Sequence, residues 1–155
     1  MSESSERAVT PESIELLGSW KLLSVCVWVD GELVDPHFMG ERPAGFIHYL
    51  EDGRVAVLIA ERDRPPVEGR RDRLAERDRA QLYSTFTAYA GTYSRDGATV
   101  VHHVDMCLYP NDVDTDYVRK IELDGDRLVL ATEPMSSRDG SLVIKLTWER
   151  VAPRS

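Results

Sequence analysis

Five Asp-Gly pairs punctuate the chain, at Asp30-Gly31, Asp52-Gly53, Asp96-Gly97, Asp124-Gly125 and Asp139-Gly140, each between runs rich in β-branched, aromatic or alternating apolar residues. Asp-Gly is a strong hairpin signal, because these residues accept the positive backbone angles that a tight two-residue turn requires. A chain punctuated in this way is expected to form antiparallel strands joined by short turns. The expected strands are Trp20 to Val29, Ala44 to Leu50, Arg54 to Ala60, Phe86 to Ser94, Ala98 to Leu108, Asp116 to Leu123, Arg127 to Thr132 and Ser141 to Arg150. About eight strands is the number at which a sheet can close on itself around one small ligand.

Alternation along these runs assigns their faces, since successive side chains of a strand point to opposite sides. In the last run Leu142, Ile144, Leu146 and Trp148 face inward, with Lys145, Thr147 and Glu149 outward, the pattern of a sheet wet on one side. Tyr117, Arg119, Ile121 and Leu123 likewise share an inward face, and an inward arginine needs a partner or an aromatic ring to lie on. The neighbours His102 and His103 must diverge. His102 shares its parity with Val100, Val104 and Met106 and is placed in the lumen; His103 and Asp105 fall outside, where they could pair with each other. A bulge near Met106-Cys107 would reverse the parity beyond it. One of His48 and Tyr49 should line the lumen, and alternation alone leaves open which.

Other stretches break the β rhythm. Pro11 to Leu17 has an early proline, nearby carboxylates and apolar residues three apart before Gly18, the marks of one short helix. Val67 to Tyr83 carries strong helix formers with a thin apolar stripe, and reads as a surface helix or a lid entered through Pro65-Pro66. Asp35 to Pro43 is the other long connection and lies where the mouth of a barrel would be. Residues 1–10 read as a disordered tail and 11–152 as a single domain.

With 19 Lys+Arg against 27 Asp+Glu the formal charge is −8, which repels phosphate backbones and argues against a nucleic-acid partner. The polar, acidic N-terminus has no apolar segment of a secretory signal, and no run reaches transmembrane length, so a cytoplasmic protein without membrane contact is expected. Cys26 and Cys107 lack metal-type spacing and read as two buried thiols. No metal site or cofactor is expected: there is no phosphate-cradling glycine loop, no dinucleotide fingerprint, no Gly-x-Ser-x-Gly elbow and no two-histidine helix motif. His102 and His103 diverge too far to share a metal ion, while convergence of His37, His48 and one of that pair in three dimensions is left open.

Several segments in order resemble the bacterial lipocalin-like domain family. They are Leu17-Gly18-Ser19-Trp20-Lys21-Leu22, Gly45-Phe46-Ile47-His48-Tyr49-Leu50-Glu51-Asp52-Gly53, Ala88-Tyr89-Ala90-Gly91-Thr92-Tyr93, Val101-His102-His103-Val104 followed by Tyr109-Pro110-Asn111 and Val118-Arg119, and Leu146-Thr147-Trp148-Glu149-Arg150. The resemblance implies an all-β, up-and-down antiparallel barrel of about eight strands, with a short N-terminal helix plugging one end, one helical insertion and an apolar cavity at the other end. It also implies that Trp20 packs under an arginine from a late strand, for which Arg119 is the candidate, as a structural floor.

The function expected from such a lumen is capture of a small, mostly apolar organic molecule by a monomer or homodimer. Related small barrels in natural-product pathways bind or cyclise reactive intermediates, so the expectation leans towards a cofactor-independent cyclase or isomerase; the alternative is a non-catalytic carrier or sensor. The candidate catalytic residues are His102 and Tyr89, and the candidate ligand contacts are His48, Tyr49, Trp28, Met106, Tyr117 and Trp148. The plain alternative for His102 is a hydrogen-bonded core histidine, and for the tyrosines a core ring with a locally bonded hydroxyl.

Overall fold

A computed structural model of the protein describes residues 12–152; the N-terminal tail and Pro11 lie outside the described residues. Ten strands run in the order β1 (Gly18–Val29), β2 (Glu32–Asp35), β3 (Ala44–Tyr49), β4 (Arg54–Ala60), β5 (Phe86–Asp96), β6 (Thr99–Cys107), β7 (Asp116–Asp124), β8 (Arg127–Thr132), β9 (Met135–Ser137) and β10 (Gly140–Arg150), with one helix, α1 (Glu76–Ser84), between β4 and β5. Eight of them close a barrel in the order β1-β3-β4-β5-β6-β7-β8-β10, with β10 returning antiparallel to β1 from Trp20↔Arg150 to Val29↔Leu142. The short strands β2 and β9 extend the rim beside β1 and β10. Every Asp-Gly pair lies at a hairpin. At Asp30-Gly31 both residues have positive φ, 49° and 83°, which turns the chain in two residues with the twist the strands need.

Two bulges decide which way side chains point. In β1 the pairing with β10 shifts between Leu22 and Ser24, so Trp20 and Leu22 face inward before it and Val25 and Val27 after it. In β6 the register against β5 passes from Gly91↔Val104 to Ala90↔Met106, leaving Asp105 as the extra residue. Alternation therefore holds from Val100 through His102 to Val104 and then reverses, turning Met106 out.

The N-terminal plug is a 3-10 turn, Ser13–Leu16, rather than a helix reaching Leu17: Leu17 is already extended, with ψ 140°. Leu16 is fully buried and its carbonyl accepts the Trp20 indole N–H at 2.9 Å. Arg150 covers that indole, its guanidinium 4.2 Å from the ring centroid, and donates to the carbonyls of Leu17 and Glu15 at 2.7 and 2.8 Å. A guanidinium laid on an indole does close the barrel floor, but the arginine comes from β10. The expected pairing of Arg119 with Trp20 is corrected. Extending the alternation of Leu146 and Trp148 by one step reaches Arg150, directly opposite Trp20 in register.

The insertion before β5 is α-helical over nine residues, preceded by a 3-10 turn at Arg71–Arg73, and neither segment buries a residue. Its approach is held instead by two arginines: Arg62 donates to the carbonyls of Arg42 and Pro43, and Arg64 to Thr85 Oγ1 and Leu82 O while lying 5.2 Å over the Phe86 ring. No residue of α1 lines the central cavity, so it is a surface helix beside the barrel.

Candidate functional site

A cavity of about 490 Å³ opens at the end of the barrel opposite the Trp20–Arg150 floor, within the range of small-molecule sites. Its wall is mostly apolar, from Val25, Ile47, Val57, Ile59, Leu130, Ile144, Leu146 and Trp148; Phe38, Met39 and Met135 line the mouth. The Asp35 to Pro43 connection thus reaches the opening as expected. Polar groups enter the wall on one side, from Thr87 and Tyr89 on β5, Tyr117 and Arg119 on β7 and Thr132 on β8, with Asp112, Asp116 and Glu133 near the rim.

Behind that polar side lies a hydrogen-bonded relay. His102 is 1% exposed, and each of its ring nitrogens meets a phenol: Nε2 is 2.7 Å from the Tyr49 hydroxyl and Nδ1 2.7 Å from the Tyr89 hydroxyl. Strand geometry brings them together, because Tyr93, His102 and Tyr117 stand side by side across β5, β6 and β7 while Tyr49 enters from β3 and packs edge-on against Tyr93 at 4.8 Å. Tyr89 in turn meets Tyr117 edge-on at 4.8 Å, and Arg119 lies 4.9 Å over the Tyr117 ring.

The protons in this relay can be assigned by counting. A neutral imidazole has one N–H and one lone pair. The Tyr49 hydroxyl is buried with Nε2 as its one partner among the described residues, so its proton goes there or remains unsatisfied, at a cost of roughly 1–3 kcal/mol. Nε2 then accepts, Nδ1 carries the hydrogen, and Nδ1–H donates to the Tyr89 oxygen. The Tyr89 proton is left to donate into the cavity.

Electrostatics keep every member neutral. Burial, and secondly the charge of Arg119, lowers the His102 pKa from its ordinary 6.5 to about 3. Burial raises Tyr49 well above the usual phenol value, and raises Tyr89 against a partial opposing pull from Arg119. Tyr117 is raised by burial and by the hydrogen bond it donates to Asp112. A depressed histidine pKa has a defined consequence for stability. The unfolded chain takes up a proton at this side chain below about pH 6.5 while the folded barrel does not, so the stability due to neutral His102 is complete above 6.5 and is lost as the pH falls towards 3. The His102 ring protons are therefore expected to show no NMR titration above about pH 4, one unit above that value. Replacement by glutamine should flatten the acid limb of stability in that window.

The expected catalytic residues and ligand contacts separate into three groups. Tyr89, Tyr117 and Trp148 line the cavity. His102 points inward as the alternation required, and Tyr49 is the inward one of the His48–Tyr49 pair, but both are buried behind Tyr89 and neither lines the cavity. Three others lie on the outer face, which corrects their expected placement. His48 stacks on Phe46 at 5.9 Å and bonds Ser19 Oγ at 2.8 Å, because Ile47 and Tyr49 hold the inner positions of β3. Trp28 faces out beyond the β1 bulge with Lys145 4.7 Å over its ring, and Met106, beyond the β6 bulge, is 71% exposed. Arg119, expected at the floor, is in the cavity wall. His103 and Asp105 are outside but not partners: His103 Nδ1 meets Asp116 at 2.8 Å and Asp105 meets Arg54 at 2.9 Å. Both cysteines are free thiols, half-buried rather than buried, and Cys107 Sγ lies 3.8 Å from the Tyr117 hydroxyl. Among the described residues no three His, Cys, Asp or Glu side chains gather as for a metal ion, and no helix is long and apolar enough to cross a membrane.

The model of the lipocalin-like domain family matches residues 17–151, nearly the whole described barrel. The chain belongs to that family. A search of curated proteins returned no match. Membership accounts for the lipocalin-like barrel and suits a lumen that binds small molecules; the relay and the position of Arg119 are read from this chain's own residues.

Proposed function

We propose that this lipocalin-like barrel encloses a small, mostly apolar organic molecule and, without a cofactor, promotes its cyclisation or isomerisation, as related small barrels do for natural-product intermediates. The observation that carries the reading is the Tyr49–His102–Tyr89 relay, which leaves one oriented hydroxyl proton facing an apolar cavity of about 490 Å³. A donor fixed by its own hydrogen bond loses little freedom when it engages a carbonyl oxygen, and in a dry site it stabilises the charge that develops there as bonds rearrange. Tyr89 is the catalytic residue in this reading. His102 does not touch the substrate; it is a positioning residue that aims the Tyr89 hydroxyl.

A carrier is the second reading, favoured by the state of the acids at the mouth. Of the three acids near the rim, Asp112 accepts from Tyr117 and Asp116 pairs with His103, so two are already engaged by neighbouring side chains rather than aimed at a bound molecule.

Native mass spectrometry of the purified protein to identify a retained molecule, followed by turnover assays on it and its analogues, separates the two readings. Removal of one positioned donor of this kind costs on the order of 10²–10³ in rate. Tyr89→Phe is expected to lower turnover by about that factor with only a several-fold loss of affinity, and His102→Gln to lower it less, while His103→Ala on the outer face leaves it unchanged. Saturable binding with no turnover, and a Tyr89→Phe effect confined to affinity, would establish the carrier.

A further inference from the structure

We infer that the captured molecule is an apolar monoanion, a carboxylate or a comparably delocalised oxyanion, whose charged end is seated on Arg119. The inference rests on the capture reading above but not on catalysis. Arg119 contributes to the wall of a mostly apolar cavity, yet among the described residues its one hydrogen bond is to the carbonyl of its own neighbour, Val118, at 3.1 Å, and its guanidinium lies over the face of Tyr117. The other arginines turned towards the fold are better satisfied. Arg95 pairs with Glu15, Arg150 holds two carbonyls and reaches Asp126, and Arg62 and Arg64 hold backbone carbonyls. Arg119 forms no ion pair with any carboxylate among the described residues.

A guanidinium carries five N–H donors in a planar fork that matches a carboxylate, and Arg119, half-buried in the cavity wall, leaves most of that fork available to an acceptor brought in by a ligand. Two further donors flank it. Tyr89 presents its unassigned proton, and Thr132, directly opposite Arg119 in register, has its Oγ1 already accepting the Ile144 N–H at 3.0 Å, so its hydroxyl proton is also left to donate. Fork, phenol and hydroxyl make a donor cluster on one side of the cavity, none of them hydrogen-bonded to a carboxylate among the described residues. Charge-assisted bonds from such a cluster are about twice as strong as neutral ones. The acids near the rim, Asp112, Asp116 and Glu133, set the upper limit on ligand charge. They oppose entry of a polyanion such as a phosphate ester while tolerating a single charge carried on a large apolar body.

The test uses the whole protein and a neutral fluorescent reporter, N-phenyl-1-naphthylamine, displaced in turn by 1-naphthoate and by 1-naphthamide, which share a ring system and differ in charge. Wild type is expected to be cleared by naphthoate at a concentration at least tenfold below that of naphthamide. In Arg119→Gln that preference should vanish while reporter affinity stays within about twofold, and Tyr89→Phe should reduce it several-fold. Arg119→Lys keeps the charge without the fork and should retain part of the preference, which also covers a glutamine variant that fails to fold. If wild type shows no preference, or Arg119→Gln keeps it, the anion inference is overturned and capture survives. Failure of reporter and competitors alike to bind folded wild type overturns both.

Discussion

Replacing Gly91 with alanine is expected to cost at least about 3 kcal/mol of stability, beyond the usual effect of adding one methyl group to a strand. A Cβ built on Gly91 would lie 1.7 Å from the carbonyl oxygen of His103, 2.8 Å from its carbonyl carbon and 3.1 Å from the amide nitrogen of Asp105. All three are backbone atoms of the β6 bulge, so no side-chain rotation relieves the clash; the bulge must move or the β5–β6 ladder must open. The consequence reaches the site, because this bulge separates His102 from Cys107 and the paired strand carries Tyr89 and Tyr93. Urea unfolding read by tryptophan fluorescence checks the magnitude, and the reaction of Cys107 with a thiol reagent checks the mechanism. If the strand re-registers without its bulge, the half-buried Cys107 turns outward and reacts faster. A melting temperature within a few degrees of wild type would show that β6 relaxes at little cost.

Arg150→Ala is expected to destabilise the barrel by about 3 kcal/mol, whereas Arg119→Ala should change stability by less than about 1 kcal/mol or increase it. The contrast follows from what each guanidinium does. Arg150 covers the Trp20 ring and satisfies the carbonyls of Glu15 and Leu17, holding the N-terminal plug against the floor; its removal uncovers an indole and leaves two acceptors short of partners. Its contact with the exposed Asp126 adds little to that sum. Among the described residues Arg119 satisfies one carbonyl, that of its neighbour Val118, and lies over the Tyr117 ring. Chemical denaturation with a constant slope for both variants separates the two, and equal losses would mean that Arg119 has a structural partner in solution.

The recurrent Asp-Gly pairs placed five hairpin turns and the antiparallel order, since hairpin geometry is dictated by the few residues in the turn, while the short rim strands β2 and β9 that two of these turns join were not among the expected strands. Alternation within one strand was equally local: it placed His102 inward and His103 outward, Tyr117 and Arg119 in the lumen, and Trp148 in its wall. Alternation misleads where a bulge interrupts it. Trp28 and Met106 lie on the outer face because β1 and β6 each gain a residue, and a bulge is a property of two paired strands, as Gly91 opposite Val104, next to the extra Asp105, shows. Which arginine covers Trp20 was likewise decided by register, Trp20 against Arg150 across a closure joining the two ends of the chain. The relay belongs to the same class, for Tyr49 and His102 lie 53 positions apart and become partners only when the sheet has closed. Local residue chemistry determined the strands and their faces, and barrel closure decided the partners, because hydrogen bonds between distant strands depend on register, which no single strand encodes.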